Sequence, residues 1–427
     1  MARRRSAALS FGAALATLAI VAAGASAAQP TYGVVPQDGA VPSEADLLMM
    51  PEAGISSIRL LLHWGSVEPV PGSYNWRGVD AMVRETTKRG IQPLLFFYGT
   101  PTWAGLEDKR SCSDCSVYPP KSAGTRAAFA DFVRAAVKRY GPGGDFWEVP
   151  TPPLRLKRAG DVGLPTGPPT GPLCGIFPLP PCPPPSDPGN PTPAPPTQPP
   201  PPPPSVEPGP TEAPCGCTVA SPLRVWQVWN EQNSPKYFAP RVDVRSYAKL
   251  LKAASRAIKS VDPGAEVMLG GMWGPADARK VVLPLRPYLK RLYKIDGIKK
   301  HFDSIAIHPY AASTRGSLDQ LAVARAAVKR AGDSKVGTWI TELGWAADGP
   351  ESNPYVKGPA GQAKLLGRTL AGFERKRREF RLEGVYWYSW RDKSGGELIC
   401  DWCGYAGLRA LDGSAKPAWK AFTRVAR

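Results

Sequence analysis

The chain has 427 residues, of which 43% are hydrophobic, so it is long enough to bury one large core or the cores of two domains. Its formal net charge of +18 favours acidic glycans or cell-wall polymers as partners, although a solvated Arg/Lys surface gives the same total. No helix-turn-helix, zinc-finger or RNA-binding signature accompanies this charge, which argues against a nucleic-acid partner.

The N-terminus has the pattern of a secretory signal peptide. Arg3-Arg4-Arg5 precedes an apolar run over residues 7–23, and Ala25-Ser26-Ala27 supplies a cleavage site of small residues. We therefore predict that residues 1–28 are removed and that the protein is secreted. The alternative is an uncleaved segment that anchors the protein. No later run is long and apolar enough to span a bilayer, so no stable membrane span is expected after signal cleavage.

Strand-like and helix-like segments alternate along the rest of the chain. The predicted strands are residues 31–35, 57–64, 91–98, 225–231, 266–270, 302–308, 338–342 and 384–390. The predicted helices are residues 44–53, 76–88, 127–140, 244–260, 283–293, 318–331, 361–378 and 417–425. Eight strands that alternate with helices predict an α/β fold of the (β/α)8 TIM-barrel type, spanning residues 29–427.

A proline-rich segment, residues 148–222, interrupts this alternation between the third predicted helix and the fourth predicted strand. Residues 151–214 contain 26 of the 50 prolines, a composition that forms neither helix nor sheet. We interpret the segment as a disordered insertion on the barrel face opposite the active site. A linker that follows an independent domain is the alternative. It is disfavoured because the preceding three strands are too few to close a parallel sheet.

The eight cysteines fall into four close pairs: Cys112/Cys115, Cys174/Cys182, Cys215/Cys217 and Cys400/Cys403. In an exported protein an even set favours disulfides, although two C-x-x-C pairs also resemble a zinc site. The sequence does not determine the pairing, so both local bridges and bridges between loops remain open.

Two predicted strands end on a glutamate. The run from Val225 ends at Asn230-Glu231, and the run from Thr338 ends at Glu342. Because parallel barrel strands place their carboxyl ends on one face, these two carboxylates are expected at the same site. Paired carboxylates carry out glycoside hydrolysis, so the pair predicts a glycosidase.

The residues around this pair resemble the clan A retaining glycoside hydrolases. The resemblance rests on WQVWNE at Trp226–Glu231, on TELGW at Thr341–Trp345, and on the C-terminal Gly407-Leu408 and Lys416-Pro417-Ala418. It covers nearly the whole mature chain except the proline-rich segment, and it is closest to the β-xylosidase/α-L-iduronidase-type branch. It implies a TIM barrel that acts on carbohydrate, with Glu231 as acid/base and Glu342 as nucleophile. No cofactor or metal is expected.

The same resemblance assigns roles to residues beside the two glutamates. Arg59, placed at the end of the second strand, is expected to keep Glu342 ionised. The charge of Glu342 then favours a protonated Glu231. Asn230 is expected to bind the 2-hydroxyl of the sugar.

The segment His308-Pro309-Tyr310 ends the sixth strand on the same face. The clan counterparts of these residues hold the nucleophile and the substrate by hydrogen bonds, so His308 and Tyr310 are candidate site residues. His63, at the end of the second strand, has the same argument with less support.

Thirteen tryptophans are available to stack on sugar rings. We expect Trp387 or Trp390, on the eighth strand, to form the floor of the subsite beside the scissile bond. Trp103 and Trp345 follow strands three and seven and are candidates for outer subsites. Trp226 and Trp229 are expected in the core.

Three functions are consistent with the barrel. The first is a secreted retaining glycosidase that cleaves a polysaccharide or oligosaccharide. The second is a non-catalytic carbohydrate-binding or cell-wall-associated protein, which the intact pair of Glu231 and Glu342 argues against. The third is a metal-dependent hydrolase, which is disfavoured because the sequence has no evident cluster of His and Asp ligands.

Overall fold

Eight parallel strands close into a barrel in the order of the chain, as the alternation of strands and helices predicted. A computed structural model describes residues 30–36, 42–110, 112, 114–148, 221–274, 283–393 and 400–427. The strands are β1 (Thr31–Val35), β2 (Ser57–His63), β3 (Gln92–Tyr98), β4 (Val225–Asn230), β5 (Glu266–Trp273), β6 (Ser304–His308), β7 (Gly337–Ile340) and β8 (Leu382–Tyr388). Strand β8 pairs with β1, which closes the barrel.

Helices follow the strands and cover the outside of the barrel. They are α1 (Glu44–Glu52), α2 (Trp64–Val67), α3 (Arg77–Thr87), α4 (Thr102–Glu107), α5 (Ala123–Tyr140), α6 (Asp145–Glu148), α7 (Val244–Val261), α8 (Leu285–Tyr293), α9 (Thr314–Arg330), α10 (Gly358–Arg375), α11 (Arg377–Phe380) and α12 (Pro417–Ala426). None of the helices in the described ranges is both long and apolar enough to cross a bilayer.

Two helices begin four residues before their predicted starts because a serine caps each of them. The hydroxyl of Ser122 accepts the Thr125 N–H at the start of α5, and that of Ser313 accepts the Gly316 N–H at the start of α9. Such caps satisfy backbone donors that have no partner inside the helix. The missed turns are polar or small in sequence, so apolar periodicity alone did not find them.

Alternate residues of each strand point into the barrel or outward against the helices. Arg59 of β2, Gln227 of β4 and His308 of β6 point inward and belong to one hydrogen-bonded network. The outward residues of β4 are apolar: Trp226 is fully buried and stacks on Phe97 at 5.6 Å between ring centroids. The barrel therefore has one apolar core outside the sheet and a partly polar interior.

Several sequence predictions concern residues outside the described ranges. These are the signal peptide over residues 1–28, most of the insertion over residues 148–222, and the pairs Cys174/Cys182 and Cys215/Cys217. The described chain stops after α6 and resumes just before β4, so the insertion interrupts the connection between those two elements.

Two of the four cysteine pairs form local disulfides. Cys112 is bonded to Cys115, with Cα atoms 5.5 Å apart, and Cys400 to Cys403, with Cα atoms 5.3 Å apart. The first bridge closes a turn between α4 and α5, and the second closes a turn in the segment after β8. Disulfides, rather than a zinc site, therefore explain both C-x-x-C motifs.

A pair of carboxyl groups lies at the amino end of the barrel, away from the predicted active site. Glu266 accepts hydrogen bonds from Ser304 Oγ at 2.5 Å and from Trp339 Nε1 at 2.8 Å. Glu383 of β8 is hydrogen-bonded to Glu266, so the two carboxyls share a proton. Burial and the nearby charge of Glu266 raise the pKa of Glu383 from its usual 4.5 to about 7.

We expect the Glu383→Gln substitution to stabilise the protein at pH 8 and to have little effect at pH 5. The folded protein holds the Glu383 proton more tightly than the unfolded chain, so stability falls as pH rises from about 4.5 to about 7 and levels off above that. Because Glu383 is partly exposed, the expected gain is on the order of 2 kcal/mol. Urea unfolding at both pH values measures it, with Glu379→Gln on exposed α11 as control. Equal curves for Glu383→Gln and the parent at pH 8 would contradict the shared proton.

Candidate active site

A cavity of about 290 Å³ opens at the carboxyl ends of the strands, and Glu231 and Glu342 both line it. Other parts of its wall are aromatic: Tyr98, Tyr237, Trp273, Tyr355, Tyr388 and Trp402. Aromatic faces around a few polar groups suit a sugar, which presents C–H faces as well as hydroxyls.

The end of β4 is held in an unusual backbone conformation. Trp229 has φ +74° and Glu231 has φ +40°, in the left-handed region that residues other than glycine rarely occupy. The Glu231 N–H donates to the Gly271 carbonyl at 2.9 Å, which ties the strand end to β5. Trp229 can thereby enter the outer core while Asn230 and Glu231 both face the cavity. Strain of this kind is typical of functional sites.

Arg59 is a buried cation whose three nitrogen atoms are all paired. Its side chain is 1% exposed, and Nη1 lies 2.7 Å from Glu342 Oε1. Nη2 donates to Asn230 Oδ1 at 2.8 Å and Nε to Gln227 Oε1 at 2.7 Å. The guanidinium also lies over the Phe96 ring, 4.0 Å from its centroid. Arg59 is the third residue of β2 rather than its last, and from this position it contacts β3, β4 and the segment after β7.

Both carboxylate oxygens of Glu342 are held by donors. Oε1 accepts from Arg59, and Oε2 accepts from Tyr310 Oη at 3.1 Å. Burial raises the pKa of Glu342, whereas the Arg59 cation and the Tyr310 hydroxyl oppose that rise. The carboxylate is therefore oriented, and Arg59 favours its ionised form.

Glu231 is the carboxyl that more strongly retains a proton. Burial raises its pKa well above the usual value, and the charge of Glu342 raises it further, against the opposing charges of Arg59 and Lys236. Glu231 Oε1 lies 2.8 Å from His308 Nδ1. One oxygen of Glu231 and one of Glu342 lie within 4.8 Å of each other.

His308 is fully buried between the two carboxyls. Its Nδ1 lies 2.8 Å from Glu231 and 3.5 Å from Glu342 Oε2, and its Nε2 lies 3.0 Å from Thr341 Oγ1. Burial and the Arg59 cation lower the pKa of His308 well below its usual value, so the ring is neutral. Gly271 makes room for it, because a Cβ there would lie 1.9 Å from Nε2.

Asn230 is oriented by Arg59. A guanidinium only donates hydrogen bonds, so its contact with Asn230 Oδ1 fixes which end of the amide is oxygen. Asn230 also lines the cavity, and its NH2 group is then the end left to donate to a ligand.

Glu231, His308 and Glu342 also form the one cluster of possible metal ligands among the described residues, and the sequence analysis did not expect a cluster. The atoms that would bind a metal already have hydrogen-bond partners. His308 Nδ1 contacts Glu231, and both oxygens of Glu342 accept hydrogen bonds. The buried Arg59 cation beside it opposes a divalent ion. The arrangement suits proton transfer and nucleophilic attack better than metal binding.

The floor of the cavity comes from residues other than the tryptophans predicted for it. Trp387 points outward from β8, where it is fully buried and donates to the Ala406 carbonyl at 3.0 Å. Trp390 packs against Trp419 behind the barrel. The prediction for both is corrected, because the inward position of β8 that reaches the cavity belongs to Tyr388.

Trp402 supplies the tryptophan surface instead. It lies between Cys400 and Cys403 in the segment after β8 and contacts Tyr310 and Tyr355, with ring centroids 5.5 Å and 5.2 Å apart. No periodic pattern marks this segment, so strand analysis could not find Trp402. The signal available in the sequence was its position inside a C-x-x-C motif.

Three other candidates lie away from the cavity. Trp103 donates to the Glu68 carbonyl at 2.9 Å and packs edge-on against Trp64, and Trp345 is fully buried and donates to the Ala311 carbonyl. His63 caps α2 by accepting the Ser66 N–H at 3.0 Å. The expected subsite role of Trp345 is therefore corrected to a structural one, because its side chain is fully buried. Trp103 is half-buried outside the cavity lining, so an outer subsite there stays a prediction, and His63 does not line the cavity.

Comparison with known proteins shows similarity in structure only. No protein-family model matches the sequence, and no curated protein is similar to it in sequence. A family 39 glycoside hydrolase from Bacteroides cellulosilyticus WH2 matches with TM-score 0.57 and 20% identity, over 92% of this chain and 63% of that one. A monomeric β-xylosidase from Caulobacter crescentus CB15 matches with TM-score 0.57 and 15% identity, over 93% and 69%. A GH5_18 variant from Bifidobacterium longum, in complex with Manβ1-4GlcNAc, matches with TM-score 0.58 and 15% identity, over 93% and 78%.

These likenesses establish the fold. The barrel is the one on which glycoside hydrolases of families 39 and 5 are built, in agreement with the fold that the sequence resemblance implied. The chain spans 63% of the length of the Bacteroides structure.

Proposed function

We propose that this protein is a secreted retaining glycoside hydrolase that cleaves O-glycosidic bonds of a polysaccharide or oligosaccharide. The observation that carries the proposal is the spacing of the two carboxyls in one cavity, where one oxygen of Glu231 lies within 4.8 Å of one oxygen of Glu342. Retaining enzymes hold their carboxyls about 5–5.5 Å apart, whereas inverting enzymes need about 6.5–9.5 Å to admit a water molecule. The glycosidase folds that the chain resembles support the same class.

In the first step, Glu342 attacks the anomeric carbon while Glu231 gives its proton to the departing oxygen. The bond between that carbon and the leaving oxygen breaks, and an ester between the sugar and Glu342 forms. Arg59 and Tyr310 hold the attacking carboxylate. Asn230, with its amide turned by Arg59, is placed to donate to a sugar hydroxyl.

In the second step, water replaces the leaving group. Once Glu342 is esterified, its negative charge is gone, and Glu231 no longer has that reason to stay protonated. Glu231 then removes a proton from the water as it attacks the anomeric carbon, which restores both residues and retains the anomeric configuration.

The proposal includes secretion and a single interrupted catalytic domain. The N-terminal pattern of residues 1–28 supports export, and the disulfides Cys112–Cys115 and Cys400–Cys403 suit an oxidising compartment. Residues 29–427 would then form one barrel that tolerates the proline-rich insertion before β4.

A screen of aryl glycosides with the purified mature protein tests the activity. Proton NMR of the first product formed should show the anomer of the substrate, since two displacements restore the configuration. Initial formation of the opposite anomer would contradict the retaining mechanism. Binding to glycans without hydrolysis of any substrate would favour the non-catalytic alternative.

Lys236 supports an acidic glycan as substrate. It is exposed on the cavity wall, and its charge is close enough to lower the pKa of Glu231. Lys236 thus adds a cationic group to a cavity wall that also holds Arg59, Glu231 and Glu342. An anionic substituent on the sugar would be attracted to it.

We expect the Lys236→Met substitution to lower kcat/KM for a uronic-acid aryl glycoside about fivefold relative to the matching neutral glycoside. The reason is the loss of one charge–charge contact in a partly screened site, worth about 1 kcal/mol. Lys249→Met, on the exposed surface of α7, is the control. A ratio of uronide to neutral activity equal to that of the parent would show that Lys236 does not select for charge.

A further inference from the structure

We propose that Gln227 and Thr341 are positioning residues that fix the tautomer of His308 and so leave the proton of Glu231 available to the leaving group. The proposal rests on the function proposed above for Glu231. It concerns two residues that the sequence analysis did not select, both of them fully buried.

The chain of hydrogen bonds begins at Arg59, which can only donate. Its Nε lies 2.7 Å from Gln227 Oε1, so that end of the Gln227 amide must be the oxygen. The other end, Nε2, then faces the Leu269 carbonyl at 3.2 Å and Thr341 Oγ1 at 3.3 Å. A carbonyl can only accept, so Leu269 imposes the same orientation from the opposite side.

Thr341 links the orientation of the Gln227 amide to the tautomer of His308. Its oxygen receives an N–H from Gln227, and its own hydroxyl hydrogen has His308 Nε2, 3.0 Å away, as acceptor. If His308 donated from Nε2 instead, the Thr341 hydroxyl hydrogen would lose this acceptor in a buried site, which costs about 1–3 kcal/mol. His308 therefore carries its proton on Nδ1 and donates it to Glu231 Oε1 at 2.8 Å.

The tautomer matters for proton transfer from Glu231. If Nδ1 were the bare nitrogen, it would accept the carboxyl proton of Glu231 and compete with the leaving oxygen. With Nδ1–H as donor, Oε1 is held as an acceptor and the proton resides on Oε2. After Glu231 has given up that proton, the same Nδ1–H stabilises the carboxylate. The network thus serves both states of the acid.

Nitrogen-15 NMR of histidine-labelled protein tests the tautomer without any substrate. The chain has three histidines, and His308→Gln identifies the signals of His308 by their loss. We expect a neutral ring protonated on Nδ1. His63 gives the opposite internal reference, because its Nδ1 accepts the Ser66 N–H and its proton must lie on Nε2. A His308 ring that is protonated on Nε2, or on both nitrogens, would overturn the proposal.

Kinetics of Thr341→Val then test the consequence for catalysis. The valine keeps the shape but removes the hydroxyl, so kcat/KM for a glycoside with a poor leaving group should fall about tenfold, and less than about twofold for an activated aryl glycoside. Thr341→Ser, which restores the hydroxyl, should recover most of the loss. Thr338→Val is the matched control, since Thr338 is equally buried on β7 but contacts Arg325 instead.

The outcomes separate this proposal from the one on which it rests. Equal losses on both classes of substrate would reduce Thr341 to a packing role and overturn the proposal. If the parent protein hydrolyses no glycoside, the proposed function fails, while the NMR result still decides the tautomer. If Thr341→Val does not fold, the NMR result for the parent decides the test, and Thr341→Ser, which keeps the hydroxyl, should show the same His308 tautomer; a different tautomer there would overturn the proposal.

Discussion

Replacing Glu342 with alanine is expected to lower turnover of aryl glycosides by several orders of magnitude. Glu342 is the carboxylate that Arg59 and Tyr310 hold by one oxygen each, and no other described carboxylate besides Glu231 lines the cavity. Without it, no group remains to form the covalent intermediate. Steady-state kinetics with an activated aryl glycoside measure the loss.

Added azide should partly restore activity to Glu342→Ala. The small anion can enter the space left by the side chain and attack the anomeric carbon, displacing the aryl group in a single step. The product should therefore be a glycosyl azide of inverted configuration, which NMR identifies. Normal kinetics without azide, or a rescued product of retained configuration, would contradict the assignment of Glu342 as nucleophile.

The same substitution leaves Arg59 as a buried cation without its carboxylate partner, so the variant must be checked for folding. Removing one partner of a buried ion pair costs about 3–5 kcal/mol, although Gln227 and Asn230 continue to accept from Arg59. Glu68→Ala is a suitable control, since Glu68 is also buried and hydrogen-bonded but does not line the cavity. Glu68→Ala should lower the melting temperature yet keep kcat, which separates lost stability from lost chemistry.

The order of the strands and the positions of the two glutamates could be predicted because they depend on local sequence. Each strand has a run of apolar residues, and a parallel barrel brings all carboxyl ends to one face whatever the details of its side chains. The predictions that two carboxylates meet, and that a barrel forms around them, needed only this topology.

Which side chains of a strand enter the cavity depends on which of its two alternating sets of residues faces inward, and the sequence did not determine this for β8. On β8, Gly384, Tyr386 and Tyr388 point inward, and Gly384 is pressed against Trp339, where a Cβ would lie 2.2 Å from the ring. Trp387 therefore faces the helices. A shift of one residue reverses every side chain of a strand, and the run of aromatic residues in β8 gives no contrast from which to choose.

The polar network around His308 was missed for another reason. Gln227 lies within an apolar strand and Thr341 directly before the nucleophile candidate, so each looks like an ordinary strand residue in sequence. Their roles arise from contacts between β2, β4, β6 and β7, which are far apart along the chain. A polar residue inside an otherwise apolar strand, as at Gln227, was the one local signal.

The Glu231→Gln substitution is expected to separate substrates by the quality of their leaving group. Glutamine keeps the shape of the side chain and can still accept from His308, but it has no proton to transfer. Glycosides with poor leaving groups should slow by about 10²–10⁴-fold, because their departing oxygen is basic and needs protonation. Activated aryl glycosides, whose leaving oxygen departs as a stable anion, should lose far less in the first step.

The pH dependence of kcat/KM gives a second, independent test of the role of Glu231 as the acid. Burial and the charge of Glu342 raise its pKa, so in the parent protein the reactive, protonated form persists to a higher pH than for an ordinary glutamate. kcat/KM should therefore fall as pH rises through the pKa of Glu231, and Glu231→Gln should abolish this fall for activated substrates. Glu107→Gln, a glutamate at the end of α4 outside the cavity lining, is the control. Equal losses on both substrate classes, with the alkaline fall retained, would mean that Glu231 shapes the site without acting as its acid.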